Sequence, residues 1–374
     1  MRRRQESSNS IDILHMSRAL ALAERGRGRT SPNPMVGAEV VDREGVVVGR
    51  GSHEFAGGPH AEVHALREAG ERARGATLYC TLEPCCHTGR TGPCAPLVVA
   101  SGIRRVVVAS EDPNPRVSGR GLSHLRGHGV DVTTGVLKDP ADRLNRAFFS
   151  VMRRARPFVI MKVALSLDAA VSSGAGVRTP LTGAAANRLI DRDRAEIDAI
   201  AVGSGTVVSD DPTLTARGVF RRRPLTRVVF DSRLRTRPSA RLLSTLDTGP
   251  VIIMCRPLTA ETAGRAQALV DAGAQLEQLQ TDDRTPVPVR AALDRLATMG
   301  VTSLIVEGGP TLHRAVWDAG VVDCVQMYVT PRIAGVHGLR WITYPAAATE
   351  TLTDLTASAV GDDVRIEGYV HRAD

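Results

Sequence analysis

The chain has 374 residues, which at roughly 150 residues per domain predicts two or three domains. Hydrophobic residues make up 43% and charged residues 24%, and these globular proportions exclude a largely disordered protein. No run of about 18 apolar residues occurs, so no transmembrane helix is expected. The first ten residues are basic and polar and lack the apolar core of a signal peptide, so we expect a cytoplasmic protein with no membrane partner.

The net charge of +8 does not by itself indicate a nucleic-acid partner. Only Lys138 and Lys162 among the 48 basic residues are lysine, and the arginines are scattered along the chain. Aromatic residues make up 3%, too few for a base-stacking surface. We therefore expect no nucleic-acid binding, while a small phosphorylated substrate would exploit the same positive field.

Helix and strand patterns alternate in the first part of the chain. Helical spacing predicts helices over 11–24, 60–74 and 95–100, and β-branched runs predict strands over 36–41, 46–48, 77–81 and 106–109. This alternation is typical of a layered α/β domain.

The alternation resumes after a change of composition near residue 150, where we place the boundary between domains 1–150 and 151–374. The later strands are predicted over 158–165, 199–202, 227–230, 251–254, 304–306, 325–329 and 364–370. The later helices are predicted over 184–196, 261–272, 289–299 and 311–319. Both domains are therefore expected to be α/β.

The most informative motif combines His60-Ala61-Glu62 with Cys85 and Cys94. One imidazole and two thiolates suit Zn²⁺ and leave its fourth tetrahedral position open for water, as in catalytic zinc sites. Glu62 lies close enough to reach that water without being a ligand, which is the arrangement of zinc deaminases. His60 and Cys85 are each expected to begin a helix, whose partial positive charge would favour a thiolate at Cys85.

Other interpretations of these residues remain open. A structural zinc would need a fourth protein ligand, for which Cys86 and His87 are the nearby candidates. His64 lies one turn beyond His60 and is a rival ligand. Cys80 falls in an apolar strand and is expected to be a buried small residue.

The loop from Pro84 to Cys94 is longer than in generic zinc deaminases, and its Pro-Cys, His, Gly-Arg-Thr and Pro-Cys elements resemble one family. It is similar to the bifunctional deaminase–reductase of riboflavin biosynthesis. The same family is indicated by Pro32-Asn-Pro-Met-Val-Gly37, Thr81-Leu-Glu-Pro84 and Glu111-Asp-Pro-Asn-Pro115. The resemblance implies a cytidine-deaminase-like α/β/α domain with zinc on His60, Cys85 and Cys94 and with Glu62 as the catalytic proton shuttle. It also implies that Asn33 helps to orient the pyrimidine and that His87 and the Gly89-Arg90 segment lie beside the substrate.

The second domain has a weaker signal of its own. The turn Val306-Glu307-Gly308-Gly309-Pro310-Thr311 ends a strand and opens a helix, where backbone N–H groups could approach a phosphate. Lys162 lies in an apolar strand of a chain that otherwise uses arginine, which favours a specific task for a compact ammonium group.

The family resemblance extends across residues 157–374 and implies a dihydrofolate-reductase-like α/β domain that binds NADPH. The residues that would bind NADPH are Lys162, Ala164, Thr206, Asp210, Gly309, Pro310, Thr311 and Leu312. Those that would bind the substrate are Arg194, Leu214, Arg217 and Glu307, the arginines suiting its phosphate. Pairing through the reductase domain, and hence a homo-oligomer, is implied as well.

The resemblance implies two reactions. A zinc-bound hydroxide would deaminate diaminohydroxyphosphoribosylaminopyrimidine, and NADPH would then reduce the ribosyl group to a ribityl chain. Ala169 and Ala170 stand where the family has Gly and a basic residue, Pro180 where it has Trp, and Arg178 where it has a small hydroxyl residue. Two alternatives therefore stay open: a deaminase with a degenerate reductase domain, in a pathway branching from the same pyrimidine, and a polynucleotide-acting protein.

Overall fold

The computed structural model describes residues 2–86, 92–281, 286–341 and 351–370, with side chains from residue 9 onward. The chain divides into two compact units, Met1–Ala155 and Arg156–Asp374. Within the described residues, no helix is both long enough and apolar enough to cross a membrane.

The first unit is built on a five-stranded sheet in the order β2-β1-β3-β4-β5. Its strands are β1 (Gly37–Val41), β2 (Val47–Ser52), β3 (Thr77–Leu82), β4 (Arg105–Ser110) and β5 (Asp131–Thr134). Its helices are α1 (Arg2–Ala23), α2 (Ala61–Ala69), α3 (Cys94–Ala100), α4 (Arg120–Gly127), α5 (Lys138–Leu144) and α6 (Arg146–Arg154). Strand β1 is antiparallel to both of its neighbours, whereas β3, β4 and β5 are parallel.

Two glycines on β2 let α2 lie directly on the sheet. A Cβ atom at Gly49 would stand 2.0 Å from the carbonyl oxygen of Ala65, and one at Gly51 would stand 2.0 Å from that of Ala61. Any side chain at either position would therefore overlap the helix backbone. The glycines fix the distance between β2 and the helix that follows His60.

The second unit contains a nine-stranded sheet in the order β11-β10-β9-β8-β12-β6-β13-β16-β15, and a small sheet that pairs β14 with β7. Its strands are β6 (Phe158–Ser166), β7 (Ala170–Ser172), β8 (Ala199–Gly203), β9 (Thr226–Phe230), β10 (Val251–Cys255), β11 (Gln275–Gln278), β12 (Ser303–Val306), β13 (Cys324–Thr330), β14 (Leu339–Arg340), β15 (Thr353–Val360) and β16 (Asp363–Tyr369). Its helices are α7 (Ala184–Glu196), α8 (Ser204–Asp210), α9 (Ala260–Asp271), α10 (Val289–Thr298) and α11 (Pro310–Asp318).

The first seven strands in this order, from β11 at the edge to β13, are parallel. Strands β16 and β15 extend the sheet in antiparallel pairing. The carboxyl ends of the parallel strands therefore lie along one edge, where ligands bind in open α/β sheets. The strands predicted from β-branched runs are present, and so are the predicted helices. Sequence reasoning missed the short strands β5, β7, β11 and β14, the exposed strand β15, and helices α4, α5 and α8.

Candidate functional site

In the first unit, His60, Cys85 and Cys94 converge on one point. The Nδ1 atom of His60 lies 3.2 Å from Sγ of Cys94 and 3.6 Å from Sγ of Cys85, and all three ligand atoms lie within 4.8 Å of one another. His60 is the N-cap of α2 and Cys94 is the first residue of α3. The expectation that Cys85 begins a helix was wrong, because it lies in the segment that follows β3.

Hydrogen bonds within this cluster prepare Cys85 to act as a thiolate. A hydrogen bond from the Cys94 thiol lowers the pKa of Cys85 to about 4, and His60 acts in the same direction. The backbone N–H of Cys94 also donates to Sγ of Cys85 at 3.4 Å. The same thiol–thiolate bond raises the pKa of Cys94, and the bond with Cys85 raises that of His60. One imidazole nitrogen and two cysteine sulfurs within 4.8 Å of one another are a donor set that zinc prefers, so the cluster fits a zinc ion that would displace the remaining protons.

Glu62 lies in the first turn of α2 and is 3% exposed. Burial disfavours its carboxylate form and raises its pKa, an effect that the charge of His60 only partly offsets. A carboxyl group with a raised pKa beside a metal centre can both accept and return a proton.

Asn33 is held by a histidine that sequence reasoning missed. The side-chain amide of Asn33 donates to Nε2 of His53 at 3.1 Å, and Nδ1 of His53 donates to the carbonyl oxygen of Pro59 at 3.0 Å. Burial lowers the pKa of His53, so its ring is neutral and can accept at Nε2. The His53 ring also lies edge-on to His60, with centroids 5.6 Å apart. No sequence motif marks His53, since its partners are distant in sequence.

Glu83 anchors the backbone just before Cys85 through hydrogen bonds of its carboxylate. Its carboxylate accepts backbone N–H groups from a following loop and the start of α4: Asp112 at 3.2 Å, Gly119 at 3.0 Å, Gly121 at 2.9 Å and Leu122 at 3.3 Å. Because Glu83 precedes Cys85 by only two residues, these bonds fix the backbone that carries this ligand.

The remaining candidates of the first unit do not join the cluster. Among the described residues, neither Cys86 nor His64 belongs to it. His87 and the Gly89-Arg90 segment lie outside the described residues. Cys80 is fully buried in β3, as expected of a small core residue.

In the second unit, a cavity of about 760 Å³ opens at the carboxyl ends of β8, β9, β10 and β12. Five of the residues expected to bind NADPH line it: Thr206, Gly309, Pro310, Thr311 and Leu312. Gly309 is the N-cap of α11 and Pro310 its first residue, so the N-terminus of this helix faces the cavity. Arg233, Arg235 and Arg256 also line it. A large cavity with a helix N-terminus and several cations fits a phosphorylated dinucleotide.

Other residues expected to contact NADPH lie apart from this cavity. Asp210 ends α8, where its carboxylate accepts from the Ser209 hydroxyl at 2.7 Å. Lys162 and Ala164 lie on β6, with Lys162 Nζ 3.5 Å from the carboxylate of Glu307.

Glu307 and Arg194, both predicted to bind the substrate, form a buried ion network with Lys162. Arg194 donates to both of its carboxylate oxygens, at 2.9 and 2.8 Å. Burial alone would raise the pKa of Glu307, but the charges of Arg194 and Lys162 outweigh it and hold that pKa well below the usual range. Arg217 is largely exposed, 3.5 Å from Asp191, whereas Leu214 is buried with a left-handed φ of 55°.

Four residues depart from the family pattern, and the structure shows the backbone conformation or burial of each: Ala169, Ala170, Arg178 and Pro180. Ala169 adopts a φ of 63°, the region that favours glycine, and Ala170 is fully buried on β7, where it pairs with Arg340 of β14. Arg178 and Pro180 are exposed. Ala170 is therefore accommodated by the β7–β14 pairing, whereas Ala169 stands at a backbone conformation that glycine would adopt more readily.

A His–Cys–Cys cluster beside a buried glutamate, together with a dinucleotide-sized cavity at the end of a parallel sheet, defines a zinc-dependent deaminase fused to a nucleotide-dependent reductase. Family models agree with both halves: residues 9–110 match the cytidine and deoxycytidylate deaminase zinc-binding region, and residues 157–366 match the RibD C-terminal domain. The chain belongs to the RibD family of bifunctional riboflavin-biosynthesis enzymes. This confirms the family resemblance, the α/β fold of both domains, and zinc and NADPH as cofactors.

Several relatives match over nearly the whole chain. Riboflavin biosynthesis protein RibD of Aquifex aeolicus is 39% identical, over 87% of this chain and 88% of its own, and that of Escherichia coli is 37% identical, over 89% and 91%. The structure of Acinetobacter baumannii RibD superposes with a TM-score of 0.86 at 34% identity, covering 97% and 99%. A Thermotoga maritima diaminohydroxyphosphoribosylaminopyrimidine deaminase/5-amino-6-(5-phosphoribosylamino)uracil reductase superposes with a TM-score of 0.83 at 30% identity, covering 97% and 100%. These matches favour the bifunctional interpretation over a deaminase alone.

Proposed function

We propose that the first unit removes ammonia from diaminohydroxyphosphoribosylaminopyrimidine and that the second reduces the ribosyl group of the product to ribityl. The observation that carries this proposal is the convergence of His60, Cys85 and Cys94 beside the buried Glu62. The Thermotoga relative bears the names of both activities and matches 97% of this chain.

In the first site, His60, Cys85 and Cys94 would hold the zinc ion. When bound, zinc would lower the pKa of a water molecule and so make that water a nucleophile at neutral pH. Glu62 accepts a proton from the attacking water and delivers one to the amino nitrogen of the pyrimidine. The bond between the ring carbon and this nitrogen breaks and ammonia leaves. The water oxygen stays on the ring as a hydroxyl group, whose proton moves to the neighbouring ring nitrogen to give the carbonyl form. The raised pKa of Glu62 suits both transfers.

Asn33 orients the pyrimidine in this proposal, and His53 orients Asn33. Because Nε2 of His53 accepts from the amide nitrogen of Asn33, the amide cannot flip without losing that bond. His87 is proposed as a further substrate contact.

In the second site, bound NADPH would supply the hydride that reduces the anomeric carbon of the ribose. We propose that Thr206 and the start of α11, Gly309 to Leu312, hold the dinucleotide, with further contacts from Lys162, Ala164 and Asp210. Arg194, Leu214, Arg217 and Glu307 are proposed to bind the substrate. Arg194 and Glu307 neutralise each other, so the exposed guanidinium of Arg217 is the better partner for a substrate phosphate.

We further propose that the partner is this phosphorylated pyrimidine rather than a nucleic acid, and that the protein works in the cytoplasm. The six cysteines all lie within the described residues and none forms a disulfide, which suits a reducing compartment. A homo-oligomer formed through the reductase domain is also proposed.

The test supplies each half with its own substrate. Wild-type protein should release ammonia from the diaminopyrimidine and should oxidise NADPH when given the already deaminated phosphoribosylaminouracil. A Glu62→Gln variant should lose only the first activity. Ammonia release without substrate-dependent NADPH oxidation would overturn the reductase half of the proposal.

A further inference from the structure

The end of α4 carries two histidines that no step of the proposed reactions uses. His124 lies in the last turn of the helix and His128 is its C-cap, and residues four apart are neighbours on one side of a helix. The centroids of the two rings are 4.3 Å apart, with an angle of 37° between the ring planes. His128 is exposed and His124 is partly buried. Two imidazoles therefore lie side by side at the surface of the first unit.

The backbone of α4 determines which nitrogen of His128 is available to a ligand. Nδ1 of His128 lies 2.8 Å from the carbonyl oxygen of His124, and since a carbonyl oxygen can only accept, Nδ1 carries the proton. In the neutral ring, Nε2 then has a free lone pair. Histidines that bind metals usually donate the N–H of their other ring nitrogen to a backbone carbonyl or a carboxylate in this way. His128 thus has the hydrogen bonding of a metal ligand.

The spacing of the two rings fits one shared metal ion. A divalent ion lies about 2.0–2.1 Å from an imidazole nitrogen, which places it about 3.2 Å from the centroid of each ligand ring. Two centroids 4.3 Å apart then subtend an angle of about 85° at the ion. This is close to the right angle between neighbouring ligands in the tetragonal complexes that Ni²⁺ and Cu²⁺ form with nitrogen and oxygen donors.

The charge around the pair is compatible with a cation. The end of a helix carries a partial negative charge, which stabilises cations within the last turn. Arg126 lies two residues from each histidine, and residues at that spacing do not face each other on a helix. Arg120 lies one turn before His124 but is exposed, so its flexible side chain can keep the guanidinium group in water.

We propose that His124 and His128 form a second metal site, separate from the cluster of His60, Cys85 and Cys94, for a divalent ion with tetragonal coordination such as Ni²⁺ or Cu²⁺. The two imidazoles supply neighbouring ligands, and water molecules complete the coordination. Because only two protein ligands hold the ion at an exposed position, it exchanges with solvent more readily than an ion held by three ligands.

A metal ion at this position stabilises the helix that holds Glu83. Helix α4 has only eight residues, and the N–H groups of Gly121 and Leu122 near its start donate to the Glu83 carboxylate at 2.9 and 3.3 Å. Short helices fray unless tertiary contacts or ligands support them. A metal link between His124 and His128 opposes this fraying. The site therefore strengthens the contacts that anchor the backbone before Cys85.

The first test is a calorimetric titration of the untagged, zinc-loaded protein with Ni²⁺. Wild-type protein should bind one further metal ion with a dissociation constant in the micromolar range. His124→Ala and His128→Ala should each weaken this binding by at least about tenfold, because the second ligand of a chelate acts at a high effective concentration. His337→Ala is the matched control, since His337 is exposed and has no histidine within four residues. Absence of the further ion in wild type, or unchanged binding in either variant of the pair, would overturn the proposal.

Hydrogen exchange followed by mass spectrometry tests the effect on α4. Ni²⁺ should slow the exchange of residues 120–128 in wild type and have no effect on them in His128→Ala. Without added Ni²⁺ the two proteins should release ammonia at the same rate, because His128 does not belong to the His–Cys–Cys cluster. Exchange that is equally fast with and without bound Ni²⁺ would overturn the stabilising role of the site.

Discussion

Arg194 donates to both carboxylate oxygens of Glu307, from Nε to Oε1 at 2.9 Å and from Nη2 to Oε2 at 2.8 Å. Both side chains are largely buried, at 13% and 10% exposure, so each charge depends on the other for its solvation. Lys162 adds a second cation at 3.5 Å. The pair thus fixes α7 to the end of β12, beside the glycine turn, before any ligand binds.

Removing the Glu307 carboxylate should destabilise the second unit strongly. A Glu307→Gln variant removes the anion that Lys162 and Arg194 share, while Arg194 keeps Asp191 at 3.3 Å, and breaking a buried pair in this way costs about 3–5 kcal/mol. Glu277→Gln is the matched control, because Glu277 makes the same two-point contact with Arg295 near the surface, at 2.8 and 3.1 Å. Its loss should cost less than about 1 kcal/mol.

Urea unfolding followed by tryptophan fluorescence measures the free energy of unfolding of both variants, since Trp317 and Trp341 both lie in the second unit. Equal effects in the two variants would contradict the prediction.

A Glu62→Gln variant should retain its metal and lose ammonia release by about 10²- to 10⁴-fold, the usual contribution of general acid–base catalysis. Glutamine keeps the size of the side chain but cannot carry the proton. Zinc content by mass spectrometry and ammonia release together make the measurement. Glu68→Gln, on the same helix but exposed, should leave turnover unchanged. Substantial turnover by Glu62→Gln would exclude the residue as the proton shuttle.

Replacing Cys94 by serine should abolish zinc binding and ammonia release but leave NADPH oxidation intact, because the cluster lies wholly in the first unit. Cys86→Ser should keep a full equivalent of zinc, since Cys86 lies outside the cluster. Zinc content measured on both purified variants separates a three-ligand catalytic site from a closed structural one. Zinc loss from Cys86→Ser would favour the structural alternative.

Ala169→Gly should stabilise the second unit. A non-glycine residue at a φ of 63° costs about 1–2 kcal/mol, which exceeds the roughly 0.5–1 kcal/mol of chain entropy that glycine adds to the unfolded state. The expected gain is about 0.5–1 kcal/mol in urea unfolding. Ala170→Gly, the neighbouring change at a fully buried strand position, should instead destabilise. A loss of stability in Ala169→Gly would show that its methyl group makes a contact worth more than the strain.

As the pH rises from about 4 to about 6, the free energy of unfolding of the second unit should decrease because of Asp193. Burial raises the pKa of Asp193 to about 6, while Arg365 opposes this effect. Over this range the folded state keeps a proton that the unfolded state has released, so stability declines with rising pH and levels off above pH 6. The difference in unfolding free energy between wild type and Asp193→Asn should follow this profile, with a total change of up to about 3 kcal/mol. A difference independent of pH would contradict the assignment.

The convergence of His60, Cys85 and Cys94 could be predicted from sequence because zinc limits the choice of ligand types and the spacing of these residues is short. His60 and Glu62 share one helical turn, and Cys94 follows Cys85 across one loop. The strands with continuous apolar runs, such as β6 and β10, could be predicted for the same reason: burial on both faces leaves a local signature.

The contacts that orient the site residues could not be predicted, because each joins segments distant in sequence. The bonds from Asn33 to His53 and from Arg194 to Glu307 depend on how helices, strands and loops pack, and neither residue pair has a spacing that indicates contact. Short strands such as β7 and β14 were missed because their pairing, rather than their composition, defines them.

The position of His60 depends on two glycines of β2, Gly49 and Gly51. Gly49 and Gly51 let the backbone of α2 lie in direct contact with β2, and a side chain at either position would push the helix away from the sheet. The close approach of α2 to β2 therefore sets where His60 and Glu62 stand. A bulky residue on that strand would displace the proposed ligand His60 and the proposed proton carrier Glu62 together, so a strand without any reactive side chain limits which sequences can keep the site intact.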